Sequence, residues 1–158
     1  MTDHRAIGVE LNNRVWDTLE SGAIGASSPR HEREDLIYAA YASAHHWRQV
    51  GTVANRARAE HLVSRAAAQI GWYDVAIRHA ARCLELVEVN PEAMEDWDLA
   101  FALEALARGQ AGAGETDQAR ATYARAVEAA AAISDEDDRS LVEAQLRNGP
   151  WSGVTPPV

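Results

Sequence analysis

The chain has 158 residues, 47% of them hydrophobic and 25% charged, which suits one domain with a buried core and requires no second. All 15 basic residues are arginine and Cys83 is the only cysteine, so lysine Schiff-base, phosphate-loop and kinase-type chemistry is excluded, as are an intrachain disulfide and a cysteine-rich metal site within one chain. The net charge of −9, with a pI near 5.1, opposes binding to nucleic acid or to an anionic membrane, since either would meet a repulsive average field.

Alanine supplies about a fifth of the chain, with a single Phe and few Val, Ile or Thr runs, a composition that predicts an all-α fold. The first helix is capped by Thr2 or Asp3, carries Ile7, Leu11, Val15 and Leu19 at helical spacing with Trp16 beside them, and ends at Gly22. After a loop, Ser28 caps a second helix with Pro29 in the first position; it runs to about residue 50, and its middle, LIYAAYASA, is uncharged on every face. A third helix, residues 53–70, puts Ala59, Leu62, Val63, Ala66, Ala67 and Ile70 on a core stripe and Arg58, His61, Arg65 and Gln69 on an exposed one. Gly71 breaks the chain, and a fourth helix buries Tyr73, Ala76, Ile77, Ala80, Leu84 and Val87 before stopping near Asn90 and Pro91.

A fifth helix starts about Glu92 and contains WDLAFALEALA, where only Asp98 and Glu104 are charged. Past Gly112 or Gly114, a sixth presents Ala119, Tyr123, Ala126, Val127, Ala130 and Ile133 inward. Ser134 and the acids DEDD open a short seventh through Leu141, Val142 and Leu146, which Asn148-Gly149-Pro150 stops. This gives one domain over residues 1–149 and an extended tail over 150–158, from which Trp151 is able to dock back on the core. Tyr38, Tyr41, Trp47, Trp72 and Tyr73 read as core and interface aromatics. The opening MTDHRAIGVELNN has neither the basic flank nor the apolar run of a signal peptide, and no stretch approaches the roughly 20 apolar residues of a membrane span, so a cytoplasmic location is expected.

The fourth and sixth helices repeat at an offset of 43: Gly71, Asp74, Ala76, Arg82 and Glu85 fall on Gly114, Asp117, Ala119, Arg125 and Glu128. Residues 71–86, GWYDVAIRHAARCLEL, resemble the turn and second helix of a tetratricopeptide repeat, and residues 114–128, GETDQARATYARAVE, are similar to the same half-repeat with Thr116 in place of the aromatic. The spacing exceeds the usual 34 residues, so the likeness is to a tetratricopeptide-like fold with longer helices. HHWRQVG at 45–51, the set Asn55, Arg58, Glu60, Ser64 and Arg65, HAARCLE at 79–85 and DLAFALEALAR at 98–108 further resemble a group of short bacterial helical-repeat proteins. The resemblance implies about seven helices in antiparallel pairs, forming a right-handed superhelix or a compact bundle, and a role in binding proteins; it implies no chemistry. The carboxylate clamp of chaperone-binding members uses lysine, which this chain lacks.

In such a fold the third and fifth helices line a groove, which would gather Arg58, His61, Arg65 and Gln69 with Trp97, Phe101, Glu104 and Arg108. Arginine forks suit carboxylate or phosphate, so the expected ligand is an acidic peptide, a protein partner or a small anionic molecule. On this reading Arg65→Ala weakens binding without unfolding the chain. The competing reading makes Glu104, Arg108 and Arg65 a salt-bridge network. For an enzyme, Asp98 and Glu104 are the candidate acids, beside His46 or His79; they lie about 120° apart around the helix and so face different partners. For a metal, His31 with Asp35 and His79 with Cys83 are i,i+4 pairs, and His45, His46, His61, Glu60 and Asp98 are possible additions, but no zinc-protease or di-iron motif occurs and neither metal nor cofactor is expected. An alanine-rich exposed face would also suit a homodimer.

Overall fold

Side-chain caps and left-handed glycines set where several of the helices start and stop in the computed structural model, which describes residues 1–154. Helix α1 (His4–Ser21) opens where the Asp3 side chain accepts the Ala6 N–H and closes on Gly22 at φ 64°. Helix α2 (Arg30–Val50) starts one residue later than expected: Pro29 is the cap, its carbonyl accepting the N–H groups of Glu32 and Arg33, while Ser28 Oγ accepts the Gly25 N–H instead. A capping box between Thr52 and Asn55 opens α3 (Val53–Gln69). Helix α4 (Tyr73–Val89) follows, and then Pro91 starts only a single 3-10 turn, Pro91–Ala93. Met94 is extended, so α5 (Asp98–Gly112) begins later than Glu92, where the Asp98 carboxylate accepts the Glu95 N–H at 2.9 Å. Helices α6 (Thr116–Ala131) and α7 (Glu136–Arg147) complete the set; Asp135 rather than Ser134 caps α7, taking the N–H groups of Asp137 and Asp138. The described residues are thus all-helical with seven α-helices and no strand.

The two glycines matched in sequence do the same work in the backbone. Gly71 and Gly114 stand at φ 80° and 81°, a region open to glycine at little cost. At the first turn the Trp72 N–H reaches the Ala67 carbonyl and that of Gly71 the Ala68 carbonyl; at the second, Glu115 reaches Gln110 and Gly114 reaches Ala111. Both are Schellman closures, and every donor and acceptor of one is offset by 43 residues from its counterpart. The alanines that follow, Ala76 and Ala119, are both buried.

Consecutive helices pack on one another along the chain, and α1, α3, α5 and α7 also touch in succession, forming one continuous layer. Two apolar clusters fill the interior: Val15, Ile37, Leu62 and Ile70 among α1, α2 and α3, and Leu103, Tyr123, Ile133, Val142 and Leu146 among the later helices. Small residues let helices approach closely. A Cβ on Gly112 would clash with Cε1 of Tyr73 on α4, so Gly112→Ala is expected to cost about 1–2 kcal/mol, overpacking outweighing the gain in helix propensity. Urea denaturation checks this; an unchanged midpoint would mean that Tyr73 swings aside without loss.

Several side chains depart from their expected places. Tyr38 and Tyr41 are exposed, at 61% and 40%, because α2 faces α1 and α3 through Leu36, Ile37, Ala39 and Ala40, leaving the tyrosines on its far side. Leu141 and Val127 also face outward, and Tyr73 and Ile77 are only half-buried. The tail is not extended where it is described. Trp151 and Val154 are buried, Trp151 donating its Nε1–H to the Leu146 carbonyl at 3.0 Å and meeting Tyr123 edge-on. Its remainder, residues 155–158, lies outside the described residues. No helix among the described residues is long and apolar enough to cross a membrane.

Candidate functional site

Helices α3 and α5 meet through ion pairs that begin at the N-terminal end of α5. Arg58 forks onto Asp98, with Nε and Nη2 at 2.9 and 2.8 Å from the two carboxylate oxygens, and lies over the Trp97 ring at 4.3 Å. About one turn along α3, His61 is stacked on Trp16 of α1 and meets Phe101 of α5 edge-on. A further turn along, Arg65 donates Nη1 to Glu104 Oε2 at 3.3 Å and to Gln145 Oε1 of α7 at 3.1 Å. Arg108 closes on the same acid, Nε to Oε1 at 2.7 Å, and donates Nη2 to the carbonyls of Gln145 and Asn148. The Trp151 ring covers the Arg108 guanidinium at 4.6 Å. Asp98 and Glu104, about 120° apart on α5, therefore have different arginine partners.

Glu104 is 0% exposed. Burial by itself would raise its pKa, but Arg65 and Arg108 reverse that and hold the carboxyl well below the usual carboxylate range. Burial lowers the Arg65 pKa, Glu104 opposes that shift and Arg108 adds to it. Burial also lowers the His61 pKa, against the opposing pull of Glu104. His61 Nε2 is buried without a hydrogen-bond partner, 4.0 Å from Glu104 Oε2 and thus beyond bonding length.

The His61 shift has a definite sign. As pH falls through about 6.5, the unfolded chain takes up a proton that the folded one refuses, so stability falls with pH until the folded histidine also protonates. Replacing His61 by Phe is expected to remove that contribution, at most about 1.4 kcal/mol per pH unit. Unfolding free energies at pH 7.5 and 5.5 for both proteins check it, and identical slopes would refute it.

The groove is divided and is not the open stripe that periodicity predicts. Arg58, His61, Trp97 and Phe101 line an aromatic cavity of about 400 Å³ with Trp16, while Arg65, Gln69 and Arg108 line a polar cavity of about 310 Å³ and a mixed one of about 270 Å³. Glu104 is fully buried and lines none of them. His61 and Arg65 are buried because α1 and α7 flank the α3–α5 face, bringing Trp16 and Gln145 onto it. Gln69 is spent on the 22–29 loop, its Nε2 donating to the Ile24 carbonyl at 2.7 Å. Sequence reasoning missed Trp16, Glu20, Gln145 and Trp151 as site residues. Trp16 stands out beside its apolar stripe, but nothing in the period says which helix it faces.

The enzyme candidates are not brought together, and the metal candidates meet only in part. His46 Nδ1 pairs with His4 Nδ1 at 2.8 Å and its ring meets His45, at the junction of α1 and α2. His79 Nδ1 lies 2.5 Å from Glu60 Oε2 and its Nε2 3.0 Å from the Tyr41 hydroxyl. Neither histidine is bonded to Asp98 or Glu104, whose oxygens are held by arginine. Cys83 is buried in the aromatic cavity wall with its thiol pushed up to about 12, mainly by burial, so it is no nucleophile at neutral pH. Ser64 is buried and donates to the Ala76 carbonyl. Among the described residues no three His, Cys, Asp or Glu side chains are grouped to hold a metal ion.

No family model matches the chain, and no curated protein or solved structure matches it either.

Proposed function

We propose that the chain is a binding module of tetratricopeptide-like type, taking an anionic ligand against the face built by α1, α3, α5 and α7. The observation that carries this reading is that two buried guanidinium groups, Arg65 and Arg108, share one carboxylate, Glu104. Together they keep one surplus positive charge in a protein whose net charge is −9. The cluster's hydrogen bonds use Nη1 of Arg65 and Nε and Nη2 of Arg108, leaving Nε and Nη2 of Arg65 and Nη1 of Arg108 without a partner among the described residues. A polar cavity adjoins both arginines. The paired Schellman turns and the continuous layer of odd-numbered helices support the repeat-like part of the reading.

Arg65→Ala is a poor probe, contrary to the sequence expectation, because Arg65 is only 11% exposed and holds Glu104. Salt dependence is the better one. An acidic peptide and inorganic phosphate, each titrated at low ionic strength, are expected to raise the thermal midpoint by about 5–10 °C at a hundredfold excess over the dissociation constant. Tryptophan fluorescence should change in parallel, since Trp16 and Trp151 lie against the arginines, and about 0.5 M salt should suppress the shift. If no anion moves the midpoint at low salt, the arginines are structural only and the reading fails.

A further inference from the structure

The polar and aromatic cavities share a wall, lined on both sides by Trp16, Glu20 and Gln145, and a ligand bridging it would set its charge by the arginines and its body among the aromatic rings. We propose that the groove binds a small monocarboxylate with an aromatic body, its carboxylate on Arg65 and Arg108 and its ring against Trp16, Phe101 and Trp97. This rests on the anion-binding reading above and narrows it to one chemical class.

Charge arithmetic selects a monoanion. Asp98 neutralises Arg58, and Glu104 neutralises one of Arg65 and Arg108, so the ion pairs leave a single positive charge, which Glu20, exposed on the rim, opposes only through screening solvent. A carboxylate matches it. A phosphate dianion would bring a second charge into a place where Glu104 already sits, and desolvating that charge would be costly. Geometry agrees, because the free Nε and Nη2 edge of the Arg65 guanidinium is a planar fork suited to two carboxylate oxygens. The Arg65 guanidinium also lies 5.7 Å from the Trp16 ring, which places the head group's site next to the aromatic wall.

The other end of the groove suits a ring. Trp16, His61, Phe101 and Trp97 form a continuous series with ring centroids 5.8, 5.6 and 5.9 Å apart, within the range of stacked and edge-on aromatic contact. The cavity they bound, about 400 Å³, is at the small end of ligand pockets and takes a single-ring or two-ring body. One charge opposes the ligand: Glu20, on the shared wall, is exposed and makes no ion pair among the described residues. That residue provides a variant that leaves the core untouched.

The test is titration of the purified chain with 3-phenylpropionate at low ionic strength, followed by tryptophan fluorescence and thermal midpoint. The matched probes are 3-phenylpropanol, which lacks the charge, propionate, which lacks the ring, and phenyl phosphate, which carries a dianion. 3-Phenylpropionate is expected to bind saturably and at least tenfold more tightly than each of the three. Glu20→Gln is expected to tighten it about two- to fivefold by removing a rim repulsion, and Phe101→Leu to weaken it about tenfold while propionate binding is unchanged. Equal or tighter binding of phenyl phosphate overturns the monocarboxylate assignment, as does equal binding of 3-phenylpropanol or a failure of every probe. In each case, protection by the acidic peptide or by inorganic phosphate in the same assay would leave the broader anion-binding reading standing.

Discussion

Glu104→Gln is expected to lose about 3–5 kcal/mol of unfolding free energy, which for a chain of this size corresponds to a midpoint lower by about 6–20 °C. The amide keeps the shape of the carboxylate but none of its charge, so Arg65 and Arg108 remain buried facing each other with no counter-ion. A hydrophobic replacement of all three, Glu104→Leu with Arg65→Met and Arg108→Met, is expected to recover most of that loss, because the cost lies in the unpaired charges and not in the absent pair. The pH dependence has a fixed sign: a carboxyl held below its ordinary range stabilises the fold fully above the unfolded value near 4.5, and that contribution drains away as pH falls toward the folded value. Chemical denaturation at pH 7 and pH 4 checks both parts. A loss below about 1 kcal/mol at pH 7 would mean that the arginines reach water.

Trp151→Ala is expected to cost about 3–5 kcal/mol, the range for removing a buried indole. Trp151 is buried against Tyr123, donates to the Leu146 carbonyl and roofs Arg108. Denaturant unfolding measures the loss directly. A tail that is truly extended would give a change within about 0.5 kcal/mol, so the same experiment separates the docked tail from the expectation drawn from its sequence. A second consequence concerns binding: with the roof gone, Arg108 gains rotameric freedom, and the affinity for 3-phenylpropionate should fall as well.

Helix existence was legible from apolar periodicity together with a few local signals: Asp3 caps α1, and the left-handed Gly22, Gly71 and Gly114 follow α1, α3 and α5. The errors of placement come from the same local level. Glu92 reads as the start of the fifth helix, but residues 91–93 form a single 3-10 turn, Met94 is extended, and α5 begins only at Asp98, whose carboxylate accepts the Glu95 N–H. The charged residues of the site were legible as types, since Asp98 and Glu104 stand alone in an apolar run, and their different faces follow from helical geometry. Their surroundings were not. Periodicity makes the Arg58, His61 and Arg65 stripe the outer face of α3, and only the packing of α1 and α7 converts it into an interior. Trp151 belongs to a segment with no period at all, and its docking depends on a space between Tyr123, Leu146 and Arg108 that three distant parts of the chain create.

The bond from Arg65 to Gln145 joins residues 80 positions apart and bears on how the molecule comes undone. Stacked helical hairpins that touch only their neighbours fray from the ends, each unit leaving almost independently. Here α7 cannot peel away alone without stripping Gln145 and the Asn148 carbonyl from two buried cations, a step that exposes part of an ion cluster while the rest is still dry. The last helix is thereby bound to the fate of the third, and amide protons in α7 are expected to exchange more slowly than those of a helix that frays on its own.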